Sequence, residues 1–202
     1  MLARMPDAIE IVRGDECMRY LLLSNRHDGK GSVTVKFTAI RVVCNNTLML
    51  ALKDGQNAFR VRHSRVMFER LAEIGEILSM ARKMYEECGE IFKKMAKITL
   101  ARNKLDKFLE TVYPRTEVQK KAGKRSEKWD LIDQLLEETE DLQLPGIKGT
   151  LWAAYNAVAR FEDYRHTHTP EDESARLKRV WFGAGAEAKF DALKAARKML
   201  AV

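Results

Sequence analysis

The sequence predicts an α+β fold: a small antiparallel β-sheet with a packed helix, then a long helical hairpin, then a helical C-terminal module. Three observations predict it. Apolar residues alternate on both sides of a Gly-containing turn between positions 18 and 43, which is the pattern of a β-hairpin. From Met67 to Met95 they recur at alternating spacings of four and three, which marks a helix with a continuous buried seam. Beyond Leu144-Pro145-Gly146, the sharpest break in the chain, the periodicity is helical to the end. These breaks divide the chain into a β-rich part (1–64), a helical hairpin with a basic connector and an acidic helix (65–142), and a C-terminal helical module (146–202).

Residues 8–12 alternate weakly and read as a short strand ended by Arg13-Gly14-Asp15. In 18–24 both parities are apolar, so this strand is expected to be central and covered on both sides. His27-Asp28-Gly29-Lys30-Gly31 supplies the turn, because Gly tolerates the positive φ of a tight hairpin. The return strand, 32–43, sets Val33, Val35, Phe37 and Ala39 against Thr34, Lys36 and Thr38 until Arg41 interrupts the alternation, and a bulge there would explain the interruption. Cys44-Asn45-Asn46-Thr47 reads as the junction into an apolar helix over 47–52. After Lys53-Asp54-Gly55, residues 57–63 form a third strand with a basic face of Arg60 and Arg62.

Ser64 is placed to cap the long seam helix, and Thr99 to cap a second helix over 100–112 that ends at Pro114 and packs back on the first. Residues 117–128, with Lys120, Lys121, Gly123, Lys124, Arg125 and Lys128, read as a mobile basic connector. An acidic helix over 127–141 follows, its buried stripe formed by Leu131, Ile132, Leu135 and Leu136. Thr150 caps a helix bearing Leu151, Trp152, Tyr155, Val158 and Phe161. A polar loop spans 166–173, Gly183-Ala184-Gly185 makes a turn, and 186–202 is the closing helix.

The 202 residues are 46% apolar with few Gly and Pro, a composition that excludes disordered and fibrous classes. A net charge of +7 makes a polyanion a sensible partner. Three cysteines without a C-x-x-C pair argue for a reduced, cytoplasmic protein with no zinc framework. The N-terminus lacks the apolar core of a signal peptide, and no run is long enough to cross a bilayer, so no membrane partner is expected.

Two separated blocks carry a family resemblance. FTAIRVVCNNTLMLAL, with LLLSNRHDG before it and VRHS after it, and the later TLWAAYNAVARFEDYRH and VWFGAGAEAKFDALKAARKML together resemble the phage and plasmid-like family described as domain of unknown function 932. The resemblance implies a mobile-element setting and no established activity. It also implies that the usual N-terminal half is missing, since about twenty residues precede the first block. An exposed sheet edge and a homo-oligomer are the expected consequences.

Several candidate sites compete with plainer readings. Cys44 with His63 and the adjacent Asn pair could form a Cys-His-Asn nucleophile if a helix N-terminus lowers the thiol pKa, but a small buried Cys and capping Asn residues are the favoured reading. His27-Asp28 is chiefly turn chemistry, and His166 with His168 near Glu171 and Asp172 is too weak a pattern to assign a metal. Gly183-Ala184-Gly185 could form a small anion nest, and a close-packed turn is favoured over it. The basic residues have two equal readings. Lys36, Arg41, Arg60, Arg62, His63 and Arg65 from the sheet and Lys120, Lys121, Lys124 and Arg125 from the connector either form a track for a phosphate backbone or decorate solvated faces. Base stacking would fall to Tyr20, Phe37 or Phe59.

The expected function is therefore non-enzymatic nucleic-acid binding in a phage or plasmid, with single-stranded DNA favoured because a hairpin followed by a helix is similar to the order in single-strand annealing proteins. A protein-binding inhibitor of a host defence complex is the alternative, and an enzyme resting on Cys44 and His63 comes third. No cofactor is implied.

Overall fold

A computed structural model describes residues 1–24, 32–50, 58–62, 74–165 and 173–201. An antiparallel sheet is followed by helices, as expected of an α+β chain. Strands β1 (Leu2–Val12), β2 (Asp15–Ser24) and β3 (Ser32–Arg41) lie side by side. Two short strands share the far side of β3: β4 (Thr47–Met49) pairs with residues 38–40 and β5 (Ala58–Arg62) with residues 32–36. The weakly alternating start of the chain thus forms a full edge strand. It is bulged between Arg4 and Ala8, where Asp7 has a φ of 65°, and a bulge on an edge discourages pairing with another copy.

The structure corrects the reading of Thr47–Met49, which is a strand and not the start of a helix. A three-residue apolar run carries no periodicity that could separate the two. The hairpin is therefore followed by another strand, and the likeness of element order to annealing proteins is lost. Arg41 is also reassigned. The β2–β3 register runs without interruption from Cys17↔Arg41 to Ser24↔Thr34, so Arg41 continues the inward series Val35, Phe37, Ala39. Its side chain is a buried member of that face, with no bulge involved.

Helix α1 (Ile74–Ala96) carries the predicted seam, and Ala81, Met84, Tyr85, Cys88, Phe92 and Met95 are all buried. Its partners are β1 and the central helix α5 (Leu151–Arg160). Phe92 sits 4.8 Å from the Trp152 ring and 5.8 Å from Tyr155, and burying such a ring contributes about 2–3 kcal/mol. Helix α2 (Arg102–Val112) instead lies against the last helix, α7 (Ala184–Leu200). The seam found apolar surfaces wider than one helix stripe.

Thr150 caps α5 as expected, its hydroxyl accepting from the Ala153 amide. Every residue from Leu151 to Ala159 is buried, the behaviour of a helix apolar on all sides. Thr99 does not cap α2: Ala101 holds that position, and Thr99 forms a β-bridge with Thr150. The basic connector contains a short helix, α3 (Glu117–Lys121), closed by a Thr116–Gln119 capping box. The acidic helix α4 (Glu127–Glu138) buries Trp129, Ile132 and Leu135, whereas Leu131 is exposed. A 3-10 turn, Glu140–Leu142, follows it. Between α5 and α6 (Glu173–Phe182) the chain makes a π-helical turn, Phe161–Arg165. One hydrophobic core runs from Ile9 in β1 to Ala196 in α7.

Candidate functional site

Two of the cations expected in the basic track are engaged within the protein. The Arg41 side chain is fully buried, with Nε 2.6 Å from Asp15 Oδ1 and Nη1 2.5 Å from Asp141 Oδ2. It is thus committed to the fold and unavailable to a phosphate. Lys36 Nζ donates to the Trp181 carbonyl at 2.9 Å and lies 4.9 Å over the Phe182 ring. Register places Arg60 opposite Thr34 and Arg62 opposite Ser32, beside the Lys36–Ala58 pair. His63 and Arg65 lie outside the described residues, as do His27, Asp28, His166 and His168. Of the aromatics considered for stacking, Phe37 is core at 1% exposure and Tyr20 is half-buried.

The connector residues meet at a different place, the corner where α2, α3 and the start of α4 join. Arg125 is the hub. Its guanidinium reaches Asp106 at 2.5 Å, Asp133 at 2.6 Å and Asp130 at 3.0 Å. Arg115 and Arg125 lie 4.8 Å and 5.2 Å from the ring of Trp129, whose indole donates to the Tyr113 carbonyl. Lys120 pairs with Glu117 and Glu110, and both partners raise its pKa, the Glu117 hydrogen bond most. Arg102 pairs with Asp133. Around this braced centre Lys104, Lys107, Lys121 and Lys124 are exposed and form no ion pair among the described residues. From Lys97 to Lys128 there are ten basic and four acidic residues, and the next nineteen carry six acidic and none basic. The acidic stretch offsets the basic one, and two of its carboxylates, Asp130 and Asp133, are drawn into the corner by Arg102 and Arg125.

A second polar assembly is buried between the sheet and the C-terminal helices. The π turn directs two carboxylates inward. Asp163 accepts from the Thr47 amide at 2.7 Å and from Lys189 Nζ at 2.7 Å; Glu162 accepts from Tyr113 Oη at 2.6 Å and from Arg179. Burial lowers the Lys189 pKa against the pull of Asp163. Asp15 also accepts from the Trp152 indole at 2.7 Å, and Arg160 holds the other oxygen of Asp141 at 3.1 Å. None of these residues was singled out as a site in the sequence, because each pairs across a long stretch of chain.

This network also settles the environment of Cys44. It lies in the turn after β3, not at a helix N-terminus, and burial pushes its thiol up to about 11 even with Arg41 Nη1 3.7 Å away. At neutral pH it is a thiol, a poor nucleophile. Asn45 takes a left-handed φ of 55° and the Asn46 amide donates to the Asn156 carbonyl, so the pair shapes a turn and caps no helix. Gly183 is the N-cap of α7. A Cβ on Gly185 would stand 3.3 Å from Glu162 Oε2 and 3.1 Å from Arg179 Nη1. The helix start is thus tightly packed beside a carboxylate, which leaves little place for a bound anion. The described residues contain no group of three or more side chains suited to a metal and no helix long and apolar enough to cross a membrane.

The sequence matches the family model described as domain of unknown function (DUF932) over residues 1–181, and the chain belongs to that family. No curated protein and no solved structure matches it.

Proposed function

We propose that this DUF932 chain is a non-enzymatic nucleic-acid-binding protein that reads the phosphate backbone with the α2–α3–α4 corner. The observation that carries the reading is the set of four exposed lysines, Lys104, Lys107, Lys121 and Lys124, none of which forms an ion pair among the described residues. Arg125 and its three aspartates supply the frame that presents them. The aromatics of the corner, Tyr113 and Trp129, are buried beneath the cations. Contacts would therefore be to phosphates, without base stacking, and single and double strands both fit.

Fluorescence anisotropy of labelled single- and double-stranded oligonucleotides across a salt series tests this. Four phosphate contacts give a log–log salt slope of about −2.8 on single strands and about −3.6 on duplex. Replacing Lys121 and Lys124 by Glu is expected to weaken binding about tenfold or more and to reduce the magnitude of the slope by about 2. Flat anisotropy at low salt overturns the proposal.

A further inference from the structure

Among the described residues strand β1 is paired on one side only, with β2. Residues 8–12 of that strand and Arg13 after it line an open cleft of about 820 Å³, together with Tyr85, Gly89 and Lys93 of α1 and with Arg19 of β2. The helix lies this close to the strand because residue 89 has no side chain: a Cβ there would stand 3.0 Å from Ile9 Cγ2. The cleft thus combines a strand edge and a helix face, held at a fixed separation.

Arg19 lacks a counterpart in this cleft among the described residues, as do the exposed Glu10 and Arg13 at its rim. Met18 pairs with Ala8 and Tyr20 with Arg4, so on the β1 side Arg19 faces the bulged residues 5–7 with no single partner, while on the other side it pairs with Ala39 of β3. Its guanidinium lies 5.6 Å over the Tyr85 ring, its Nε is buried with no hydrogen-bond partner, and it forms no ion pair among the described residues. The two glutamates of α1 that line the cleft are engaged elsewhere, Glu86 with Arg82 and Glu90 with Lys93. A buried donor left without an acceptor is unfavourable, and a ligand that supplies the acceptor relieves it. The guanidinium fork fits a carboxylate in two parallel hydrogen bonds, and an open strand edge supplies backbone donors and acceptors to an extended segment.

We propose that the β1–α1 cleft binds an extended segment of a partner protein, which adds as a strand along residues 8–12 and places an acidic side chain on Arg19. The bulge between Arg4 and Ala8 leaves the room opposite Arg19 that the carboxylate enters, and a second register shift between Glu10 and Val12 limits the regular ladder of the added strand to the residues between the two. This site is separate from the basic corner and does not depend on it.

The test uses fluorescence polarisation with three labelled octapeptides of alternating Thr and Val that differ only in a central Glu, Gln or Lys. The Glu peptide is expected to bind about tenfold tighter than the Gln peptide, as one charge-assisted contact provides, and the Lys peptide weakest. Arg19→Gln should erase the Glu preference. Glu86→Lys, a change on the exposed cleft rim that keeps the fold independent of Arg19, should strengthen binding of the Glu peptide. N-methylation of alternate peptide amides should abolish binding if the segment joins the sheet. Absence of saturable binding up to about 1 mM, equal affinity of the three peptides, or a dimer in solution that occupies the β1 edge would each overturn the proposal.

Discussion

Two regions of this molecule use the same chemistry, Arg and Lys against Asp and Glu, for different ends. Under the sheet, Arg41 is sealed between Asp15 and Asp141 at 0% side-chain exposure. At the α2–α4 corner, Arg125 holds three aspartates but keeps 28% of its side chain in solvent. The difference in burial decides what each pair contributes. A buried pair gains little net energy over an apolar replacement, yet removing one partner strands a charge in a poor dielectric. A surface pair is screened, and its loss is mild. Arg41 therefore determines how β2, β3 and the turn after α4 meet, whereas the corner can lose a charge and keep its shape, as a ligand-binding surface requires.

The largest expected effect breaks the buried side of this comparison. Arg41→Met should cost about 3–5 kcal/mol, because Asp15 and Asp141 lose their counter-charge. Urea denaturation midpoints measure it, and a loss below about 1 kcal/mol would place Arg41 among ordinary surface pairs. Replacing Arg41, Asp15 and Asp141 together by apolar residues should recover a good part of that loss.

The second test is a pH dependence from the same neighbourhood. The Cys44 thiol titrates in the folded protein near 11, above its ordinary value. The folded state therefore holds this proton more tightly than the unfolded one. The corresponding stability is complete below about pH 8.5, the free-thiol value, and is lost as pH rises toward 11. Other buried groups, Cys17 and Tyr155 among them, are shifted the same way by burial, so the diagnostic quantity is the difference from Cys44→Ser, which should show a shallower decline above pH 9. Alkylation of Cys44 at pH 8 should be slower than that of a free thiol; a rate equal to the free thiol would contradict the burial.

The effects at the corner are smaller. Arg125→Ala should cost about 1 kcal/mol, since three partially screened contacts and the packing on Trp129 are lost. The smallest change is expected from Lys121→Glu with Lys124→Glu, within about 0.5 kcal/mol in stability, although the same pair should have the largest effect on oligonucleotide binding. If that double variant unfolded the protein, the corner would be structural in the way Arg41 is.

Much of the architecture was legible in the chain. The β2–β3 hairpin followed from alternation, the buried face of α1 from its four-three spacing, and the start of α5 from Thr150 placed before an apolar run. The basic surplus was legible too, but only as composition. The fate of each cation was not. Arg41 and Arg125 look equivalent in sequence, and their partners decide between core and surface: Asp141 lies one hundred residues from Arg41, and no local pattern encodes that distance. The same limit applies to Thr47–Met49, which becomes a strand because the 38–40 edge of β3 and the Asp163 carboxylate receive it.

What the sequence alone determined, then, is what periodicity and capping determine: that this is an α+β chain of DUF932 type, that α5 begins after Thr150, and that α1 carries a continuous apolar seam. Only the tertiary structure decided which apolar stripe meets which and which charges are removed from water. Those outcomes depend on free energies of desolvation and pairing between segments distant in the chain, and such energies exist only once the segments are brought together.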